Sequence, residues 1–169
     1  MKATLAVAVV VALAASCSNR MPGVKHVHVA QLGYDMRDDW QKDIATQRGV
    51  VTTVWTPEEN DHKESVTVIR TDRSPAVASR AGETLSHLLA RAEHADASHV
   101  APVFTPFGLA GARVDTTFTP PNVDATYHRV HAVLVDGTSL VHVLYTALEP
   151  DETLTVFTGV LQSIHHEES

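Results

Sequence analysis

The chain has 169 residues, 44% of them apolar and 5% aromatic, with 20 acidic against 13 basic side chains and a formal net charge of −7. That length supports one domain with a real core. The acidic balance excludes nucleic acid as a partner, because binding it needs a basic face to displace counterions. Cys17 is the only cysteine, so no internal disulfide braces the domain.

Residues Met1–Cys17, MKATLAVAVVVALAASC, read as a signal peptide: Lys2 gives a positive start, Ala3–Ala15 an uncharged apolar stretch, and Ala14-Ala15-Ser16 a small-residue cleavage site. An apolar run of about 13 residues is short of the roughly 20 that a spanning helix needs. With Cys17 directly after it, the segment resembles the lipobox of bacterial lipoproteins, with Ala14 where Leu or Val is commoner and Leu13 one place upstream. The resemblance implies a diacylglyceryl thioether on Cys17, cleavage before it, and acylation of the new N-terminus with palmitate-type chains. A chance cysteine behind an ordinary secretory signal is the alternative. At about 0.8 kcal/mol per buried methylene, two or three chains make release negligible. Only Arg20 and Lys25 lie near this anchor, too few to hold the domain flat on an anionic surface. The expected organisation is a signal peptide over 1–16, a lipidated N-terminus and short tether over 17–24, a single domain over 25–165 and a tail over 166–169. Ser18 stands where an aspartate would resemble an inner-membrane retention signal, which favours the outer membrane in a cell that has one. In either membrane the domain faces the periplasm or exterior.

Strands come next. Val24, His26, His28 and Ala30 alternate with Lys25, Val27 and Val29, and the β-branched runs Val50–Trp55 (VVTTVW) and Ser65–Arg70 (SVTVIR) flank a solvated hairpin loop, PEENDHKE. Ser74 then caps a helix whose first position is Pro75. Val77, Ala81, Leu85, Leu88, Leu89 and Ala92 fall on one face, predicting a helix from Pro75 to Ala95 packed on a sheet. Arg80, Glu83, His87, Arg91 and His94 form its solvated face. Val100–Phe107 and Gly111–Phe118 read as strands, Thr119-Pro120-Pro121-Asn122 breaks the run, and Tyr127–Val135 and Leu140–Tyr145 form a hairpin through Asp136-Gly137. Glu149-Pro150-Asp151-Glu152 opens a last helix with Leu154, Phe157, Val160, Leu161 and Ile164 on its apolar face. His165–Ser169 reads as a frayed tail.

Strands, helix, four strands, helix predicts an α+β domain, an antiparallel β-sheet flanked by two main helices. A strand leading to Trp40, VVTTVW-TP, SVTVIR, a central helix, the HRVHAVLVDGTSLVHVLY hairpin and the closing VFTGVLQSI helix together resemble the PsbP/Mog1-like fold, an α/β/α sandwich. The match runs from Val24 to Ile164 as a pattern of elements and carries no site motif. The resemblance implies a domain of the kind found in envelope lipoproteins, whose members are mostly non-catalytic accessory or binding proteins.

The sequence holds no GxSxG elbow, no GxxxxGK phosphate loop, no GxGxxG and no HExxH. It does hold 11 histidines. His26 and His28 share a strand face, a geometry a metal can use. His128 and His131, three apart, face opposite sides. A two-residue Asp136-Gly137 turn would pair Val135 with Thr138 and so His131 with His142, with side-chain roots about 5 Å apart. His131 and His142 are therefore the candidate metal ligands. The alternative is that these are partly buried or surface histidines, since no third ligand is fixed by sequence. His62 and His165-His166 fall in a polar loop and the tail, and Trp40 and Trp55 read as core aromatics. The functional expectation is a membrane-anchored lipoprotein acting as a non-catalytic accessory or binding protein of the cell envelope, with Cys17 lipidated, an envelope protein or component as partner, and no cofactor. The alternative is a metal or small-ligand binding lipoprotein using His131 and His142, with His26 or His28; a hydrolase has only amino-acid types in its favour.

Overall fold

The computed structural model describes residues 23–48, 50–59, 63–72, 85, 89–90, 93, 99–137, 139–148 and 154–167. The signal peptide, Cys17 and the tether up to Pro22 lie outside them, as do His62, Leu88 and the acidic opening Glu149–Glu152 of the last helix.

Alternating apolar residues build two antiparallel sheets. Strands β1 (Val24–Val29), β2 (Leu32–Arg37) and β10 (His165–His166) form a three-stranded sheet in the order β1-β2-β10. The larger sheet has the order β3-β4-β5-β9-β8-β7-β6, with β3 Trp40–Gln47, β4 Val50–Pro57, β5 Ser65–Asp72, β6 Ala101–Phe104, β7 Ala110–Phe118, β8 Tyr127–Asp136 and β9 Ser139–Ala147. Helix α1 (Thr155–Ser163) leads from β9 towards β10.

Period-two alternation gives the large sheet two buried faces. Val66, Val68, Val130, Ala132, Leu134, Val141, Val143, Tyr145 and Ala147 face Val27, Leu32, Tyr34 and Met36 of the small sheet, and Phe157, Val160 and Ile164 of α1 complete this core. On the other face Ala112, Val114, Val133 and Leu140 pack with Leu85 and Leu89. Across the first core the Trp55 indole Nε1–H of β4 donates to the Tyr34 hydroxyl of β2 at 3.1 Å.

Four expectations are corrected here. The fold is not a sheet flanked by two main helices: it is two packed antiparallel sheets with one nine-residue helix among the described residues. The layer expected to be helical on one face is largely the small sheet. The expected helix from Pro75 to Ala95 lies outside the described residues apart from Leu85, Leu89, Ala90 and Glu93. Second, the last hairpin closes at Asp136↔Ser139, so its loop is residues 137–138. Gly137 at φ +54° takes the left-handed position that opens such a turn, which leaves Asp136 inside the ladder. Third, α1 begins only at Thr155, after Leu154 in a left-handed conformation without a side-chain cap. Fourth, His165 and His166 do not fray: they pair with Gly33 and Leu32, and the Glu167 amide donates to the Gln31 carbonyl at 2.9 Å.

The Tyr34–Trp55 contact carries a stability prediction. Both side chains are buried, and burial pushes the Tyr34 phenol above its ordinary value against the hydrogen bonds from Trp55 and Thr53. Tyr34→Phe strands a buried indole N–H, so it should cost about 1–3 kcal/mol in a urea melt followed by tryptophan fluorescence. A loss under about 0.5 kcal/mol, the range of surface changes, would show that the contact between the sheets contributes nothing.

Candidate functional site

Two groups of histidines and carboxylates form on opposite sides of the molecule's layers. The first contains the pair expected from sequence. Because the hairpin closes one residue later than expected, His131 stands opposite Leu144 and His142 opposite Val133. The two histidines are thus diagonal neighbours on one face of β8 and β9, still within reach of each other. Their ring centroids are 5.3 Å apart, and His131 Nε2 lies 3.1 Å from His142 Nδ1.

Glu93 completes this group. Its Oε1 lies 2.8 Å from His131 Nδ1 and its Oε2 lies 3.3 Å from Arg129 Nη1. A carboxylate only accepts, so His131 Nδ1 carries the proton, and its Nε2 is turned to His142 Nδ1. The Arg129 guanidinium is held over the Phe118 ring at 4.1 Å, and Phe118 stacks on Tyr127. The hydrogen bond from His131 draws the Glu93 carboxyl below its ordinary value, helped by the charges of His131 and Arg129 and opposed by burial. Both ring nitrogens of His131 are therefore committed to protein partners. The arrangement can hold or pass a proton along Glu93–His131–His142, and the carboxylate sits on the side of His131 away from His142.

The second group lies on the face of the small sheet. Gly33 at its centre is flanked by His28 of β1 and His165 of β10, while His26 pairs with Asp35. Alternation puts His26, His28, Asp35, His165 and Glu167 on the same side. His26 Nδ1 is 2.6 Å from Asp35 Oδ1, His165 Nδ1 donates to the Ser163 carbonyl at 2.8 Å, and His28 Nδ1 donates to Glu167 Oε2 at 2.6 Å. The His26 and His165 rings stack at 5.5 Å, His28 meets His26 edge-on at 4.6 Å, and Phe107 leans on His165 at 5.0 Å. The hydrogen bond from His28 holds the Glu167 carboxyl below its ordinary value, against desolvation, which raises it. One donor atom each from His26, His165 and Glu167 falls within a 4.8 Å circle.

Gly33 makes this convergence possible. A Cβ there would come within 2.5 Å of His165 Cε1 and 2.6 Å of Glu167 Oε1. Sequence reading found the His26–His28 pair but placed His165 in a tail and did not single out Asp35, Gly33 or Glu167. The usable signal was the His165-x-Glu167 spacing, which repeats the His26-x-His28 alternation.

No protein-family model matches the chain, and no curated protein matches it in sequence. Its fold is found among solved structures. The solution structure of cyanobacterial PsbP (CyanoP) from Synechocystis matches at a TM-score of 0.62 and 13% identity, covering 91% of this chain and 98% of that one. A crystal structure from Bacteroides thetaiotaomicron matches at a TM-score of 0.55 and 10% identity, covering 82% of this chain. The chain spans 46% of that second protein's length. The fold is PsbP-like, and at these identities the likeness concerns the fold alone.

The Glu93 geometry predicts an acid-sensitive contribution to stability. A carboxyl whose folded value lies below its unfolded value stabilises the fold above the unfolded pKa, and that stabilisation fades as pH falls through the folded one. Glu93→Gln should cost about 1–3 kcal/mol near neutral pH and less below pH ~4. Urea midpoints of both proteins across that range test this, and parallel curves would rule it out.

Proposed function

We propose that this protein is a non-catalytic accessory or binding protein of the cell envelope, held to the membrane by acyl chains on Cys17 with its domain facing the periplasm or exterior. The anchor rests on the apolar leader ending in the sole cysteine. At no more than about 3.6 Å per residue, the tether from Cys17 to Gly23 keeps the domain within roughly 20 Å of the lipid surface. A PsbP-like fold fits an accessory role, and the sequence lacks the nucleophile and phosphate-loop signatures of common enzymes.

The observation that carries the binding role is the edge of the large sheet at β6. The opposite edge, β3, exposes Lys42, Asp43 and Gln47, the polar protection that sheet edges ordinarily carry, around one large apolar side chain, Ile44. At β6, Phe104 is 79% exposed and Phe107, just beyond it, 59%. Pro106 and Leu161 line the same shallow surface as Phe104, while Phe107 leans on the His165 ring. Pro102 has no amide hydrogen to offer an added strand, so the contact available here is through side chains. An apolar patch of this kind suits a partner protein of the envelope.

Both halves are testable on the full-length chain in membranes. Cys17→Ala should move the protein to a soluble or unprocessed fraction, and mass spectrometry of the mature N-terminus should find acylated Cys17; an unmodified Cys17 with cleavage elsewhere sinks the anchor. A pull-down from detergent-solubilised membranes should recover an envelope protein that Phe104→Asp loses at least about tenfold, the effect of one interface hot spot. Equal recovery by the variant would remove the β6 edge from the binding surface.

A further inference from the structure

We propose that His26, His165 and Glu167 form a binding site for one zinc ion on the face of the small sheet. The site needs neither the anchor nor Phe104, although Phe107 just beyond the β6 edge leans on the His165 ring at 5.0 Å.

Proton placement carries the argument. His26 Nδ1 faces Asp35 Oδ1 at 2.6 Å and His165 Nδ1 faces the Ser163 carbonyl at 2.8 Å, and each acceptor requires the proton on Nδ1. In the neutral rings both Nε2 atoms are then lone pairs. They lie 3.5 Å and 3.7 Å from Glu167 Oε1, longer than an N–H···O hydrogen bond. Two lone pairs and a carboxylate oxygen converging this way can be gathered by protons or by a cation, and a metal ion engages all three at once, with Glu167 Oε1 also within reach of His28 Nδ1. Metal–ligand bonds of about 2.0–2.1 Å at tetrahedral angles separate donor atoms by about 3.4 Å, close to the spacings found.

The surroundings match what a zinc site requires. A ligating histidine hands its other N–H to a carboxylate or backbone carbonyl, which fixes tautomer and ring orientation. Asp35 and Ser163 do this for the two rings, and His28 does the equivalent for Glu167 by donating to its carboxylate. The side chains of His26, His165 and Glu167 are about one-quarter exposed, so the site is walled yet reachable. Gly33 supplies the floor, since a Cβ there would collide with both His165 and Glu167. Two imidazoles and one carboxylate are a borderline-soft donor set that suits zinc over magnesium or calcium. Three protein ligands leave the fourth tetrahedral position to water or an exogenous group.

Protons compete for the same lone pairs. Among the described residues the titratable groups on this face are His26, His28, Asp35, His165 and Glu167, with Arg37 farther along β2 paired to Asp39, while His166 points away to Asp136 at 3.1 Å. Zinc affinity should therefore fall as pH drops through the imidazole range near 6.5.

Calorimetric zinc titration of the full chain in detergent, at pH 7.5 and 5.5, tests the site. One equivalent should bind well above the background of scattered imidazoles, and cobalt(II) in its place should give the intense visible bands of a tetrahedral ion. His165→Ala and Glu167→Gln should each weaken zinc binding at least about tenfold, and Asp35→Asn about 10–100-fold as an orienting partner. Glu167→Gln keeps the side-chain shape, so it reads out the site even where Gly33→Ala or His165→Ala fails to fold. Stoichiometric binding indifferent to Glu167→Gln, binding abolished by His131→Ala instead, or no binding beyond background would each overturn the proposal.

Discussion

The architecture hangs on the burial of Tyr34 and Trp55 against each other between the two sheets. A three-stranded sheet with a two-residue third strand cannot sustain itself in water. It persists here because Val27, Leu32, Tyr34 and Met36 lie in the same core as the central strands β5, β8 and β9. The indole-to-phenol hydrogen bond lets two amphipathic rings enter that core without leaving the indole N–H unpaired. Helix α1 packs beside them, and its Ser163 hydroxyl accepts from the Asp35 amide at 2.8 Å. That bond ties the end of the helix to the middle of β2, and so fixes where the chain enters β10.

Most of the large sheet was legible because its strands obey simple patterns, although its edge strand β3 was not expected. VVTTVW, SVTVIR and the β8–β9 hairpin are β-branched or alternate cleanly, and each became a strand. The small sheet was hidden by its turn. Val29 pairs with Leu32, so the loop is Ala30-Gln31, with φ of +52° and +64°. Such a turn ordinarily announces itself with Asn-Gly or Asp-Gly. Ala and Gln pay about 1–2 kcal/mol each in that region and give no signal. The strand leading to Trp40 was expected only through the fold resemblance, and without its pairing to β1 the last residues had no sheet to join. The predicted helical layer on that face followed from the same omission.

The two histidine groups teach a related lesson about sites. Both contain imidazoles in contact with a carboxylate, yet they differ in where the protons sit. In the β8–β9 group His131 lies between Glu93 and His142, so its two nitrogens face protein partners. On the small sheet the anchoring acceptors lie outside the group, which turns two Nε2 atoms inward. Residue type and strand register brought out the first pair even though the register was off by one closing residue, because diagonal neighbours on a strand pair still touch. Nothing local in the sequence could join His26 to Glu167, which meet only through the fold.

Gly33 has a mechanical side as well. Side chains from β1 and β10 meet over the bare backbone of β2, so His28 and Glu167, 139 residues apart in sequence, touch across an intervening strand. Strand β1 is an edge that pairs with β2 alone, and the sequence that follows Cys17 leads into its first residue. If the chain is held at Cys17 as proposed, pull on the domain would reach an edge strand with a single neighbour. The bridge over Gly33 shares that load with β10 and the C-terminal end of the core, lacing the first strand to the last like a cross-stitch over a seam.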